Sequence, residues 1–345
     1  MTIIPILNIY YLLSYAWDAL RAKDVIQVRA EEASDVLDLL SIILARGTTY
    51  LLKKGLDRGY IMKEEPLSGL RGKLMLGSSV KRNLLRNGRV ICAYDELSHD
   101  VLHNQILKAT LRSLISTKGI DVEVSKELVH VYRRLPQIRD VAIQTNYFDE
   151  IRLNRNNLFY DFLLKICRLI HENLLPDETS GGYKFADFVR DEVRMRALFE
   201  AFVRNFFKRE AVGFKVYRED IKWHVETDCG DNVFLPRMKT DTCLEDMQGN
   251  RKIIIETKFK NEVLSDNRGI KKIHPENLYQ LFAYLKNIET KGGANKECEG
   301  VLLYASPGQE IDLKFRIPNH FVRVKTLDLS THWKNIRDQL FSIIA

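Results

Sequence analysis

The sequence predicts a two-domain protein of mixed α+β and α/β class. It has an N-terminal α+β domain over residues 1–175 and a C-terminal α/β domain over residues 185–345. Three observations predict this. A length of 345 residues is more than one hydrophobic core usually organises. Helical periodicity dominates the first half, whereas strand-like segments flanked by helices fill the second. The Gly- and polar-rich segment 176–187 separates them and is the best boundary.

Composition limits the class of protein. The chain is 45% hydrophobic and 29% charged, which is typical of globular domains and excludes disorder. The net charge of +7 permits a phosphate-bearing partner without requiring one. The apolar residues 1–17 lack a basic leader and are interrupted by Pro5 and Asn8, so we expect folded structure rather than a secretion signal. No segment approaches the ~20 apolar residues of a membrane helix, so no membrane partner is expected.

The cysteines are scattered and show no CxxC spacing: Cys92, Cys167, Cys229, Cys243 and Cys298. This pattern is typical of reduced thiols and lacks the ligand cluster of a structural zinc site. We therefore expect a cytoplasmic protein.

In the first half, apolar residues spaced three and four apart predict these helices: 8–22, 35–54, 98–116 and 157–174. Glycines and turn residues over 55–79 predict short strands and loops. The second half begins with a strongly apolar helix. Its predicted elements are helix 191–209, strands 214–225, 233–245 and 251–260, helix 275–288, strands 300–305 and 320–328, and a helix from 332. Strands that alternate with helices in this way indicate a mixed sheet covered by helices.

The stretch 235–260 contains the residues that suggest chemistry. Side chains alternate along a strand, so Glu256 and Lys258 share one face of RKIIIETKFK. The preceding Gln248-Gly249-Asn250 is a turn signal. A Gln248-Gly249 loop would pair position 241 with 256, and a Gly249-Asn250 loop would pair it with 258. Either register brings Asp241 close to the Glu-x-Lys pair.

Two carboxylates and a lysine have a clear chemical use. Asp241 and Glu256 offer the hard oxygen ligands that Mg²⁺ prefers. Lys258 could hold the phosphate and position the attacking water, which gives metal-dependent phosphodiester hydrolysis. The competing interpretation is a pair of cross-strand surface salt bridges, because such pairs are common and a D…ExK match arises easily by chance.

Two flanking helices add polar candidates. Glu200 lies in a narrow polar stripe of an otherwise apolar helix, either as a buried ion-pair partner or as a third acid over the metal. Gln280 and Tyr284 lie one turn apart on the following helix. In the preceding loop, the candidates for DNA-backbone contacts are Arg268, Lys271 and Lys272.

Together these motifs resemble the PD-(D/E)xK nuclease superfamily, and the Gln280–Tyr284 spacing resembles the QxxxY signature of its RecB-like members. The resemblance implies a restriction-endonuclease-like C-terminal fold with six catalytic residues: Asp241, Glu256, Lys258, Glu200, Gln280 and Tyr284. It further implies that the three acids among them hold Mg²⁺.

The sequence is more closely similar to the McrC family, the nuclease subunits of modification-dependent restriction systems. The matching segments are NIYYLLSYAW at 8–17, GLRGKL at 69–74, CAYDELSHDVLHNQILKATL at 92–111, LPRMKTD at 235–241 and IIIETKF at 253–259. The family more often has Asp at the position of Glu256 and Tyr at that of Phe259. Glutamate is allowed by the superfamily pattern, so the departure does not exclude activity.

The resemblance implies two partners, an McrB-like AAA+ GTPase hexamer and double-stranded DNA containing modified cytosine. Residues 1–175 would dock on the hexamer and stimulate its GTPase. The sequence contains no GxxxxGK[ST] motif, so it does not itself supply the nucleotide-binding motor. Two alternatives stay open: a stand-alone RecB-like nuclease in repair or defence, and a catalytically silent adaptor that activates an AAA+ motor. They differ in whether the purified protein cuts DNA without a GTPase and in whether Asp241 is needed.

Overall fold

The computed structural model describes residues 4–153, 157–177, 182–225, 234–260, 263–267, 270–305 and 310–345. They pack into two compact units. The main unit comprises Met1–Lys23 and Asp187–Ala345, and the inserted unit comprises Asp24–Ala186. The units differ from the predicted division at the N-terminus, because the first 23 residues pack with the C-terminal half rather than with the segment that follows them.

The N-terminal helix α1 (Ile6–Ala16) explains this difference. Asn8 lies at 4% exposure, and its Nδ2 donates to the main-chain carbonyls of Leu329 at 2.8 Å and Thr331 at 2.7 Å. The Tyr11 ring stacks on Trp333 with centroids 4.3 Å apart. The predicted helix 8–22 is interrupted, because Asp18 takes a positive φ of 55° before helix α2 (Leu20–Val25) begins.

The inserted unit combines helices with a small antiparallel sheet. Its further elements are α3 (Val36–Lys54), β1 (Gly59–Leu67), β2 (Lys73–Leu74), α4 (Leu76–Lys81), β3 (Val90–Ser98), α5 (Leu102–Ile115), α6 (Val122–Arg133), α7 (Tyr147–Glu150), α8 (Leu158–Asn173), β4 (Leu174–Pro176) and β5 (Tyr183–Phe185). The sheet order is β1-β3-β2. The carboxylate of Asp35 caps α3 by accepting from the Asp38 amide at 2.8 Å, which satisfies one of the free N–H groups of the first turn.

The main unit is built on a mixed sheet flanked by helices, as predicted, and the sheet has six strands. Its elements are α9 (Glu192–Glu210), β6 (Phe214–Tyr217), β7 (Asp220–Ile221), β8 (Met238–Lys239), β9 (Thr242–Asp246), β10 (Lys252–Phe259), β11 (Leu264–Asn267), β12 (Ile270–Ile273), α10 (Pro275–Glu289), β13 (Glu299–Ala305), β14 (Asp312–Ile317), β15 (His320–Leu327) and α11 (Trp333–Ile344). The strand order is β14-β15-β13-β10-β9-β6. Strand β10 runs parallel to β13 and antiparallel to β9.

Helices cover both faces of β10. Ile254 belongs to a buried cluster with Leu281 and Leu285 of α10. The Phe259 ring lies 6.3 Å from that of Phe199 on α9. Since strand side chains alternate, Glu256 lies on the α10 face with Ile254. Burial on both faces explains the run of isoleucines in this strand.

Two elements, helix α6 and strand β14, are not predicted from the sequence. Helix α6 buries only Val124, Leu128 and Val131, and β14 is an edge strand whose residues are mostly exposed. Both have a short apolar pattern that the predictions above do not use: the three residues of α6 are spaced four and three apart, and Leu313, Phe315 and Ile317 alternate with polar residues in β14. Within the described parts of the chain, no helix is both long and apolar enough to cross a bilayer.

Candidate active site

The predicted hairpin is confirmed, in one of the two registers considered. Thr242 of β9 lies opposite Ile255 of β10, which is the register of the Gln248-Gly249 alternative. The connection is longer than two residues, because the Asp246 amide donates to the Arg251 carbonyl at 3.0 Å and closes a loop over 247–250. Continued by one position, the register sets Asp241 opposite Glu256.

Asp241 immediately precedes β9 and is held at two points. Its carboxylate oxygen Oδ2 accepts from the Thr257 amide at 2.8 Å and from the Thr257 hydroxyl at 2.7 Å. Its main-chain carbonyl accepts from the Arg204 guanidinium of α9 at 3.3 Å. The structure therefore fixes both the backbone and the side chain of this residue.

Glu256 is a deeply buried carboxylate with one oxygen unsatisfied. It is 3% exposed, and its Oε1 accepts from Lys258 Nζ at 3.0 Å. Its Oε2 is buried and has no hydrogen-bond partner among the residues that the structure describes. Burial, followed by the charge of Asp241, raises the pKa of Glu256 to about 7, against the opposing effect of the Lys258 ammonium.

A chain of hydrogen bonds connects Lys258 to helix α10. Lys258 Nζ donates to Gln280 Oε1 at 2.9 Å, and Gln280 Nε2 donates to the Tyr284 hydroxyl at 2.8 Å. That hydroxyl donates in turn to the main-chain carbonyl of Lys239 at 3.2 Å. Burial raises the pKa of Tyr284 to about 12, so the phenol keeps its proton and remains a donor. The predicted Gln280 and Tyr284 thus hold Lys258 in place.

Glu200 is engaged elsewhere. Its carboxylate accepts from Arg204 NH1 at 2.9 Å and pairs with the Arg218 guanidinium. Over the described ranges, no group of three or more His, Cys, Asp or Glu side chains is arranged to hold a metal ion. The structure therefore does not assemble the predicted three-acid set, because two arginines already neutralise Glu200. Its participation in a metal site stays a prediction.

Two of the three DNA-backbone candidates lie on a strand of the two-stranded sheet β11-β12. Lys271 and Lys272 are exposed on β12, which pairs with β11. Arg268 lies outside the described residues.

Sequence reasoning missed two contributors to the site. The first is Thr257, the middle residue of the Glu-x-Lys tripeptide, for which the sequence predicts no role. The hairpin register nevertheless brings it within reach of Asp241. The second is Arg218, which lies between β6 and β7. No local sequence pattern connects it with Glu200.

The Glu200 ion pairs lead to a stability prediction. We expect Glu200→Gln to lower the free energy of unfolding by about 2 kcal/mol, because it leaves Arg204 and Arg218 without a carboxylate. Arg218→Gln is the matched control and should have a similar effect, and the double variant should lose less than the sum. Thermal melts beside a DNA cleavage assay test this. An unchanged melting temperature with cleavage reduced tenfold would instead place Glu200 in the reaction.

The mixed sheet, with Glu256 and Lys258 on β10 and Asp241 immediately before β9, defines an α/β protein with a candidate hydrolytic centre. The family model described as "McrBC 5-methylcytosine restriction system component" matches residues 8–305. The chain belongs to this family.

A curated relative from Escherichia coli K12, "Type IV methyl-directed restriction enzyme EcoKMcrBC", is 29% identical over 342 residues. That match covers 99% of this chain and 97% of the relative. A solved assembly of Thermococcus gammatolerans McrB AAA+ hexamers with bound McrC contains a chain of the same fold. The TM-score is 0.61 at 17% identity, over 98% of this chain and 76% of that chain.

Proposed function

We propose that this chain is the Mg²⁺-dependent endonuclease subunit of a restriction complex that cuts DNA containing modified cytosine. Its centre would be of the PD-(D/E)xK type, formed by Asp241, Glu256 and Lys258. The observation that carries the proposal is the buried, unpartnered Oε2 of Glu256 beside Asp241 and Lys258. A buried polar atom without a partner is unfavourable unless a ligand satisfies it.

The donors at the site suit a hard divalent cation. Asp241 and Glu256 would hold Mg²⁺ through carboxylate oxygens, the ligands that this ion prefers. The bound ion would supply positive charge that stabilises the transition state of phosphodiester hydrolysis. A pKa of about 7 means that Glu256 gives up its proton readily near neutral pH, as a cation ligand must.

Lys258 would orient the substrate. An ammonium group has three donors, and Glu256 and Gln280 accept two of them in the described structure. The third is suited to a phosphate oxygen or the attacking water. Because Tyr284 and the Lys239 carbonyl hold Gln280 in turn, the ammonium is positioned before DNA arrives. We propose that Lys271 and Lys272, with Arg268, contact the DNA backbone nearby.

We propose that the inserted unit engages an McrB-like AAA+ GTPase hexamer and stimulates it, in place of the predicted 1–175 domain. Family membership and the McrC bound in the related assembly support this. The inserted unit contains none of the residues of the proposed centre. Residues 66–94 hold six Lys or Arg and no Asp or Glu, and most are exposed, so they suit an acidic partner surface.

The complex tests this division of roles. We expect the full-length protein to raise GTP turnover by its partner at least tenfold and to cut methylated plasmid only with GTP and Mg²⁺ present. Asp241→Ala should keep the stimulation, because it lies outside the inserted unit. Lys81→Glu with Arg82→Glu should abolish the stimulation by reversing charge on the basic segment.

Other outcomes separate the alternatives. Cleavage by the purified chain without a GTPase would favour a stand-alone nuclease. Restriction that survives Asp241→Ala would favour a silent adaptor. Stimulation that is unaffected by the double charge reversal would show that Lys81 and Arg82 of the basic segment do not contact the GTPase.

A further inference from the structure

The middle residue of the Glu-x-Lys tripeptide makes an unusual pair of bonds. Thr257 is 3% exposed, and both its amide and its hydroxyl donate to the same oxygen, Oδ2 of Asp241, at 2.8 and 2.7 Å. The β9–β10 ladder ends at the pair formed by Thr242 and Ile255. The Thr257 amide lies beyond the end of this ladder. It therefore donates to the Asp241 side chain and not to a main-chain carbonyl of the neighbouring strand.

The two bonds constrain different degrees of freedom. The terminal torsion of an aspartate is broad, so a single donor leaves the carboxylate free to rotate. A second donor to the same oxygen, from another direction, restricts that rotation. The Asp241 backbone is held independently by Arg204, at the main-chain carbonyl. Removal of the Thr257 hydroxyl should therefore loosen the carboxylate without displacing the loop.

We propose that Thr257 is a positioning residue, whose hydroxyl fixes the Asp241 carboxylate so that its other oxygen, Oδ1, is presented to the metal ion. This inference rests on the function proposed above. Groups that orient metal ligands typically change metal affinity 10- to 100-fold when removed. Thr257 would act through Asp241 and would touch neither the metal nor the substrate.

Three variants of the full-length protein separate positioning from packing. Thr257→Val keeps the shape and removes the hydroxyl, whereas Thr257→Ser keeps the hydroxyl. Thr242→Val is the matched control, since Thr242 is a buried neighbour of Asp241 whose hydroxyl has no partner in the described part of the chain. The probe is Mn²⁺ in place of Mg²⁺, with free ion measured by electron paramagnetic resonance. Asp241→Ala serves as the reference for a lost ligand.

We expect Thr257→Val to weaken Mn²⁺ binding about tenfold or more, Thr257→Ser to stay within about threefold, and Thr242→Val to match the wild type. In DNA cleavage, Thr257→Val should require proportionally more Mg²⁺ and approach the wild-type rate at saturation. Its melting temperature should match that of Thr242→Val.

Wild-type Mn²⁺ affinity in Thr257→Val, with binding lost in Asp241→Ala, would overturn the inference and leave the proposed function intact. An equal loss in Thr257→Ser and Thr257→Val would assign the effect to packing and also overturn it. Wild-type protein that binds Mn²⁺ no better than Asp241→Ala would overturn both the inference and the proposed function.

Discussion

Replacement of Asp241 by alanine should reduce Mg²⁺-dependent DNA cleavage by at least about 100-fold, because it removes one of the two carboxylates proposed to hold the ion. Lys258→Ala should cause a comparable loss by removing the ammonium held between Glu256 and Gln280. Asp241→Ala should remain folded, since Arg204 still holds the main chain at residue 241. Lys258→Ala should also remain folded, since Gln280 keeps its bond to Tyr284. Plasmid cleavage in the reconstituted complex measures the loss, and circular dichroism checks the fold.

Three further variants make the test selective. Asp246→Asn changes a carboxylate at the other end of β9, where Oδ1 accepts from the Asn250 amide at 2.7 Å, and should leave cleavage unchanged. Glu256→Asp keeps a carboxylate with shorter reach and should retain part of the activity, whereas Glu256→Ala should not. Full cleavage by Asp241→Ala or Lys258→Ala would show that these residues do not form the catalytic centre.

The second large expected effect is a stability that falls as the pH rises. The pKa of Glu256 is raised from 4.5 to about 7 in the folded protein, so folding favours the protonated form. The stabilisation is fully present below pH 4.5 and is lost as the pH rises through 7. At about 1.4 kcal/mol per pH unit, the free energy of unfolding should fall by about 2 kcal/mol between pH 5.5 and 8.5 through this residue alone.

Glu256→Gln isolates that contribution, because it mimics the protonated side chain at every pH. Relative to the wild type, the variant should gain about 2 kcal/mol of stability between pH 5.5 and 8.5, measured by urea unfolding without divalent ions. A constant difference between the two proteins across this range would show that Glu256 ionises normally. Since Mg²⁺ requires the ionised form, its binding should release protons at pH 6 and almost none at pH 8.5.

The sequence predicts the local parts of the site well. The turn signal at 248–250 and the alternation in β10 are sufficient to bring Asp241 close to the Glu256 and Lys258 pair, because a hairpin register depends on nearby residues. They leave two registers open, and the structure has the one that sets Asp241 opposite Glu256. The Arg218 partner of Glu200 depends instead on tertiary placement, and the Thr257 partner of Asp241 depends on where the hairpin ladder ends. Arg218 reaches Glu200 from the strand region after α9, and the Thr257 amide meets Asp241 only because the ladder ends two residues earlier. Likewise, no pattern within residues 1–23 indicates that Asn8 bonds to Leu329.

The contact between Asn8 and Leu329 joins residues 321 positions apart, which has a consequence during synthesis. At ribosomal rates of roughly 5–20 residues per second, helix α1 leaves the ribosome roughly 15–65 s before Leu329. The inserted unit is complete much earlier and can fold while α1 still exposes Ile9, Leu12 and Leu13, which are buried in the finished protein. The main unit, and with it the sheet that carries the Asp241 centre, is completed only after strand β15 and helix α11 have been made.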